Sequence, residues 1–175
     1  GSAHVREKDG LWAVLMWLNV LAATGKSVPQ LMQDHWAAFG RNFYSRHDYE
    51  AVETAAAEGL MQALRDRLAD LPGTEAAGLR VAEADEFAYT DPVDGATATG
   101  QGIRIAFEGG ARVVFRLSGT GTEGATLRVY VEDLELDPVK QGRDPQEALA
   151  PVIAAADALA GILQRTGRLT PDVIT

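Results

Sequence analysis

Residues 116–128 read R-L-S-G-T-G-T-E-G-A-T-L-R, with an apolar, β-branched run before them (R-V-V-F, 112–115) and another at their end (T-L-R-V-Y-V, 126–131). Such runs on either side of small residues predict two strands joined by a loop. The loop holds Gly119, Gly121 and Gly124, with Ser118, Thr120 and Thr122 between them. Glycines let successive backbone N–H groups turn into one hollow, and such a nest favours an anion. The interleaved hydroxyls add donors. Arg116 and Arg128, one at each end, supply charge and a planar fork suited to phosphate. A Gly/Ser/Thr-rich segment serves equally well as a plain hairpin connection, and the residues alone leave both readings open. A hairpin here brings Arg116 and Arg128 towards the two shoulders of one loop, within reach of a single phosphate. Glu123 inside an anion-binding loop is unfavourable unless it points to solvent or pairs with an arginine.

Outward from this hairpin, G-I-R-I-A-F (102–107) predicts a strand and E-G-G (108–110) a tight turn into residues 111–117. Residues 41–50, R-N-F-Y-S-R-H-D-Y-E, alternate and are rich in aromatics, which predicts another strand. Its neighbours His47 and Asp48 then point to opposite faces, which argues against a His–Asp relay. Residues 79–89 predict a short strand, and D-P-V-D-G (91–95) a turn. Asp91 and Asp94 lack the further oxygens and the closing glutamate of a calcium loop.

The spacing of Val52, Ala56, Leu60, Leu64 and Leu68 predicts a helix over 51–71, ended by Pro72 and Gly73. Leu149, Val152, Ile153, Ala156, Leu159 and Leu163 form the apolar face of a last helix, opened by Asp144 and Pro145 and stopped near Thr166 by Gly167. At the other end of the chain, Asp9 caps a helix that is apolar nearly all round, L-W-A-V-L-M-W-L-N-V-L-A-A. Ser27 caps a second helix, with Pro29 in its first turn and Gly40 at its end. A helix apolar on every side wants burial. Where part of its covering is absent, an exposed patch over Leu11, Trp12, Leu15 and Leu18 is expected, and with it self-association. His35 has no second histidine at helical spacing and reads as a packed or surface residue.

The chain has 175 residues, 46% of them hydrophobic and 23% charged, which suits one globular domain or one with an appendage. A net charge of −9 argues against a nucleic-acid surface, since phosphate backbones are gripped by clustered Lys and Arg. An acidic protein that binds phosphate must use a local pocket, and residues 116–128 offer one. There are no cysteines, so disulfides and thiolate metal sites are excluded. No secretory pattern opens the chain and no apolar run reaches membrane-spanning length, so no membrane partner and a cytoplasmic location are expected.

The central stretch resembles the phosphate-binding loop of the last domain of the α-D-phosphohexomutases, in their phosphoglucomutase branch. That pattern is R-x-S-G-T-[GE]-x-x-x-A-x-x-R, and every fixed position is met; glycine at 121 suits phosphoglucomutases, where many mannose-type relatives carry an acidic residue. H-V-R-E-K-D-G-L-W-A from His4, D-H-W-A-A-F-G-R-N-F-Y from Asp34, D-P-V-D-G from Asp91 and the closing Q-R-T-G-R-L-T-P-D-V-I-T agree with the same family. The resemblance covers essentially the whole chain.

It implies an α+β fold: an antiparallel sheet of about four or five strands with helices packed on one face, like TATA-binding-protein folds, preceded by two N-terminal helices. Residues 1–26 would be a remnant of a third, sugar-binding domain, 27–40 a linking helix and 41–175 the phosphate-binding domain, with the upstream domains of the same chain missing. Gly1 and Ser2 read either as native or as a cloning scar.

The implied reaction interconverts glucose 1-phosphate and glucose 6-phosphate through a phosphoserine enzyme and glucose 1,6-bisphosphate, assisted by Mg²⁺. The serine and the D-x-D-x-D metal motif of that family do not occur here, so the chain alone is expected to be inactive. Its share would be to hold the non-reacting phosphate of a phosphosugar through Arg116, Ser118, Gly119, Thr120, Gly121, Thr122 and Arg128. Lys8, in E-K-D-G, would serve in proton transfer to the sugar hydroxyl; by its residues alone it reads as a surface lysine. His4 and Arg6 would line the same cleft. Phosphomannomutase activity and a non-catalytic phosphosugar-binding module are the alternatives, and the loop that selects the sugar lies ahead of residue 1.

Overall fold

The structure, a computed structural model, describes residues 8–121 and 124–175, without the side chains of Thr120 and Gly121. It divides into two compact units, Gly1–Arg41 with Leu136–Gln141, and Asn42–Glu135 with Gly142–Thr175.

The first unit holds helices α1 (Gly10–Thr24) and α2 (Val28–Phe39). Asp9 caps α1 by accepting from the Trp12 N–H at 2.9 Å, and Gly25 closes it in the left-handed conformation, φ +64°. In α2 the Gln30 side chain reaches back to the Ser27 N–H at 2.9 Å, with Pro29 in the first turn. No residue of α1 is buried; Leu11 is 80% exposed and Leu15 60%, with Leu18 and Trp12 also open to solvent. Arg41 lies 4.3 Å over the Trp36 ring and donates to the Gln141 carbonyl, while the Gln141 amide donates to the Trp36 carbonyl at 3.0 Å. Among the described residues no single helix is long and apolar enough to cross a membrane.

The second unit is a mixed helix–sheet layer. Its elements are β1 (Arg41–Val52), α3 (Thr54–Arg65), β2 (Glu75–Ala76), β3 (Leu79–Glu86), β4 (Tyr89–Thr90), β5 (Thr97–Ala98), β6 (Ile103–Phe107), β7 (Arg112–Gly121), β8 (Gly124–Glu135), α4 (Pro145–Ala160), α5 (Ile162–Thr166) and β9 (Val173–Ile174). The main sheet runs β2-β3-β6-β7-β8-β1-β9, seven strands rather than the four or five expected. The two outermost, β2 and β9, are two residues each, too short for an alternating pattern to show in sequence. A separate β4–β5 hairpin carries the turn at 91–95, where Asp91 and Asp94 each accept a backbone N–H two residues on, as turn aspartates do.

Alternation decides the two faces of the sheet. Ile103, Ile105, Phe107, Val113, Phe115, Leu127, Val129 and Val131 point inward and are 3% exposed or less. They meet the apolar stripes of α3 (Leu60, Met61, Leu64) and α4 (Leu149, Val152, Ala156), so both helices cover the same face. The last helix is not continuous to Thr166 as its spacing predicts. Gly161 adopts φ +59°, ending α4, and Leu163 in α5 is 41% exposed rather than buried. Among the described residues of this unit, no helix covers the opposite face of the sheet. Its outward positions carry arginines, tyrosines and carboxylates.

Candidate phosphate site on the β7–β8 hairpin

The hairpin is longer than its composition predicts. The ladder continues through the small residues to a Gly121–Gly124 pair, so the connection itself lies at Thr122 and Glu123, which are outside the described residues. Between Ser118 and Gly121 the register shifts, with Gly119 at φ +64°, a left-handed residue at a β-bulge. A bulge leaves one residue out of the ladder, so its polar backbone groups are available to something else.

Below the bulge, Arg116 and Arg128 are directly opposed partners, on the face away from the helices. Two cations opposed in this way repel each other, and an anion between them removes that cost. Arg116 has no carboxylate within ion-pairing distance among the described residues. Its side chain crosses Gly102, where a Cβ would come within 2.7 Å of the Arg116 Cγ and 2.9 Å of the Phe115 carbonyl oxygen; Gly102 has φ +143°. Only a glycine leaves this room.

Arg128 is tied from the other side. Asp48 on β1 is a buried carboxylate, its side chain 5% exposed, 2.9 Å from Arg46 Nε and 3.8 Å from Arg128 Nε. His47, its neighbour, points the other way and meets the Gln146 amide oxygen of α4 at 3.0 Å, so the two form no relay. Gln146 also donates to Ser45, which donates to the Thr175 carbonyl, and this network fixes β9 to β1.

The rest of the open face is charge-compensated. A concavity of about 720 Å³ is lined by Tyr44, Phe87, Arg104, Arg112, Val114 and Tyr130, among others including Arg116. Arg112 is opposed by Glu132 and bonded to it, Nε to Oε2 2.7 Å. Arg104 grips Asp85 with two nitrogens, and that carboxylate raises the guanidinium's pKa further above its already high ordinary value. The uncompensated charge therefore lies around the Arg116–Arg128 rung and at Arg46, where the concavity adjoins it. Arg46, Arg116 and Arg128 stand against the single carboxylate of Asp48 there, which leaves a local excess of two positive charges among the described residues.

Of the residues the sequence singles out, the hairpin sets Arg116 opposite Arg128, Ser118 two rungs further on opposite Thr126, Gly119 at the bulge, and Thr120 and Gly121 at its end. Thr122 lies outside the described residues, as do His4 and Arg6. Lys8 is exposed, just ahead of α1 in the other unit. Sequence reasoning missed Asp48, Arg46 and Gly102; the alternation of β1 could have put Arg46 and Asp48 on one face, but nothing local points from there to Arg128. No group of three or more His, Asp or Glu among the described residues could hold a metal ion. The resemblance assigns its Mg²⁺ to other domains of the full-length enzyme, and no step here runs through it.

Comparison with known proteins gives the family. The family described as "Phosphoglucomutase-1, C-terminal domain" matches residues 41–172, and "Phosphoglucomutase/phosphomannomutase, alpha/beta/alpha domain III" matches residues 2–39. A phosphoglucomutase of Rhizobium radiobacter is 58% identical over the whole chain, and phosphoglucomutase-1 of Homo sapiens 47%; the chain spans 32% of each. A crystal structure of the Paramecium phosphoprotein pp63/parafusin, a phosphoglucomutase in an open form, superposes with a TM-score of 0.87 at 41% identity, over all of this chain and 31% of that one. The chain thus spans about a third of the relatives it matches. It belongs to the phosphoglucomutase family, matching the C-terminal domain and, ahead of it, a segment of domain III.

Proposed function

We infer that the chain works as the C-terminal part of a phosphoglucomutase that interconverts glucose 1-phosphate and glucose 6-phosphate, and that it clamps the phosphate not being transferred. The observation that carries this is the opposed Arg116–Arg128 pair beneath a glycine bulge, with an excess of two positive charges. A sugar phosphate carries close to two negative charges at neutral pH, by analogy with phosphorylated side chains. Arg116 and Arg128 supply the charge-assisted contacts, Ser118, Thr120 and Thr122 the hydroxyl donors, and Gly119 and Gly121 the backbone N–H groups. Held at its far end, the sugar presents its other oxygen to the transfer machinery with less entropy left to lose. Lys8 takes the proton-transfer role towards the sugar hydroxyl. The phosphoserine, the bisphosphate intermediate and Mg²⁺ belong to upstream domains, so this chain alone shows no mutase activity. Relatives from Populus tremula and Pisum sativum are named cytoplasmic, which supports the same location here.

The test uses the full-length enzyme. A charge-assisted hydrogen bond contributes about 1.5–3 kcal/mol, so Arg128→Ala raises KM for glucose 1-phosphate roughly 10- to 150-fold. A KM within twofold of the unsubstituted enzyme for both Arg116→Ala and Arg128→Ala would remove the clamp.

A further inference from the structure

We propose that Asp48 is the positioning residue for Arg128, and through it sets the gap into which the phosphate fits; this rests on the clamp reading above. Asp48 is a carboxylate taken almost wholly out of water, which demands compensation. Its ion-pair partners among the described residues are Arg46 and Arg128. The contact with Arg128 is the longer of the two. At 3.8 Å, to Asp48 Oδ2, it is an attraction without a hydrogen bond, and Arg128 Nε is buried with no hydrogen-bond partner. Arg46 Nε and Asp48 Oδ1, 2.9 Å apart, make an ion pair but no hydrogen bond either. A carboxylate hydrogen-bonded along one edge of a guanidinium locks its orientation. Here the charge is held in place while the donors are left unspent.

The strand order gives this a direction. β8 lies between β7 and β1, so Arg128 has Arg116 on one side and Asp48 on the other. Without an anion, repulsion from Arg116 and attraction to Asp48 both draw the Arg128 guanidinium towards β1. In this account the two guanidinium groups are held apart and a phosphate enters between them. An arriving phosphate replaces the repulsion with two attractions, and Arg128 turns towards it at little cost because no hydrogen bond must break. Asp48 touches no substrate in this account; it acts only through Arg128.

The experiment is a double-mutant cycle in the full-length enzyme, read as kcat/KM and KM for glucose 1-phosphate. Asp48→Asn keeps the shape and removes the charge. The expected result is a fall in kcat/KM of about tenfold or more, expressed mainly as a raised KM, since misplacing a binding group by about 1 Å is enough for that. Asp48→Glu restores part of it. In an Arg128→Ala background, Asp48→Asn adds no further loss. Additive losses, or an unchanged kcat/KM in Asp48→Asn beside a clear loss in Arg128→Ala, overturn the positioning role while leaving the clamp. No loss in Arg128→Ala itself overturns both. If Asp48→Asn does not fold, Arg46→Gln with Asp48→Asn removes that ion pair together and is read by the same criteria.

Discussion

Gly102 offers the sharpest structural prediction, because two separate costs meet there. Its φ of +143° lies in a region that side chains rarely adopt, and a Cβ would sit 2.7 Å from Arg116 Cγ and 2.9 Å from the Phe115 carbonyl oxygen. The backbone strain is about 1–3 kcal/mol. The close contact adds about 1–3 kcal/mol as overpacking. Phe115 is fully buried and its strand is paired on both sides, so that carbonyl cannot retreat; the Arg116 stem must. Gly102→Ala is therefore expected to cost about 2–6 kcal/mol in all, roughly 4–24 °C in Tm for a chain of this size. Gly100 is the control: it too has positive φ, +65°, but a Cβ there meets nothing within 4 Å. Gly100→Ala carries the strain alone, about 1–2 kcal/mol. Thermal unfolding followed by far-ultraviolet circular dichroism measures both. The same substitution at 102, unlike that at 100, also weakens phosphate binding by displacing Arg116. Equal melting temperatures and equal phosphate affinities for the two variants would refute the reasoning.

Other consequences are smaller. Asp144 caps α4 by accepting the N–H groups of Gln146 and Glu147, so Asp144→Ala should lower stability by about 1 kcal/mol, read from the denaturant midpoint at unchanged slope. Burial is the main influence holding the Asp133 carboxyl above its ordinary 3.8. The folded state then keeps that proton longer than the unfolded one, so this group's contribution is greatest below pH 3.8 and declines as pH rises through its folded value. Asp133→Asn should flatten that decline in a pH series of urea melts; an unaltered profile would contradict it.

Much of the fold could be read before the structure. The apolar, β-branched runs at 102–107, 111–117 and from 126 named the strands, and the structure adds their buried faces, since a sheet covered on one side imposes a period of two. Asp9, Ser27 and Asp144 stood where their helices begin, because capping is a local bond. What could not be read was non-local. β9 exists only because residues 173–174 pair with Asp48 and His47, and a two-residue strand has no pattern of its own. The break at Gly161 lay hidden under an apolar spacing that runs through it. At the hairpin, the facing arginine pair was legible from order, while the bulge at Gly119 was not, because the small residues read as a loop. Asp48 was not, since its partner Arg128 stands eighty positions away on another strand and Gly102's role depends on a side chain passing over it.

The central claim is that the bulge of the β7–β8 hairpin, rather than the larger concavity of the open face, receives the phosphate. An amide NMR titration of this chain with glucose 1-phosphate, and separately with inorganic phosphate, tests it most directly. The account predicts saturable shifts at residues 118–122 and around Arg128, with an affinity of about millimolar, lost in Arg116→Ala. Shifts centred instead on Arg104, Arg112 and Tyr130, or none at 118–122 in the chain and an undiminished phosphosugar KM in full-length Arg116→Ala, would contradict it.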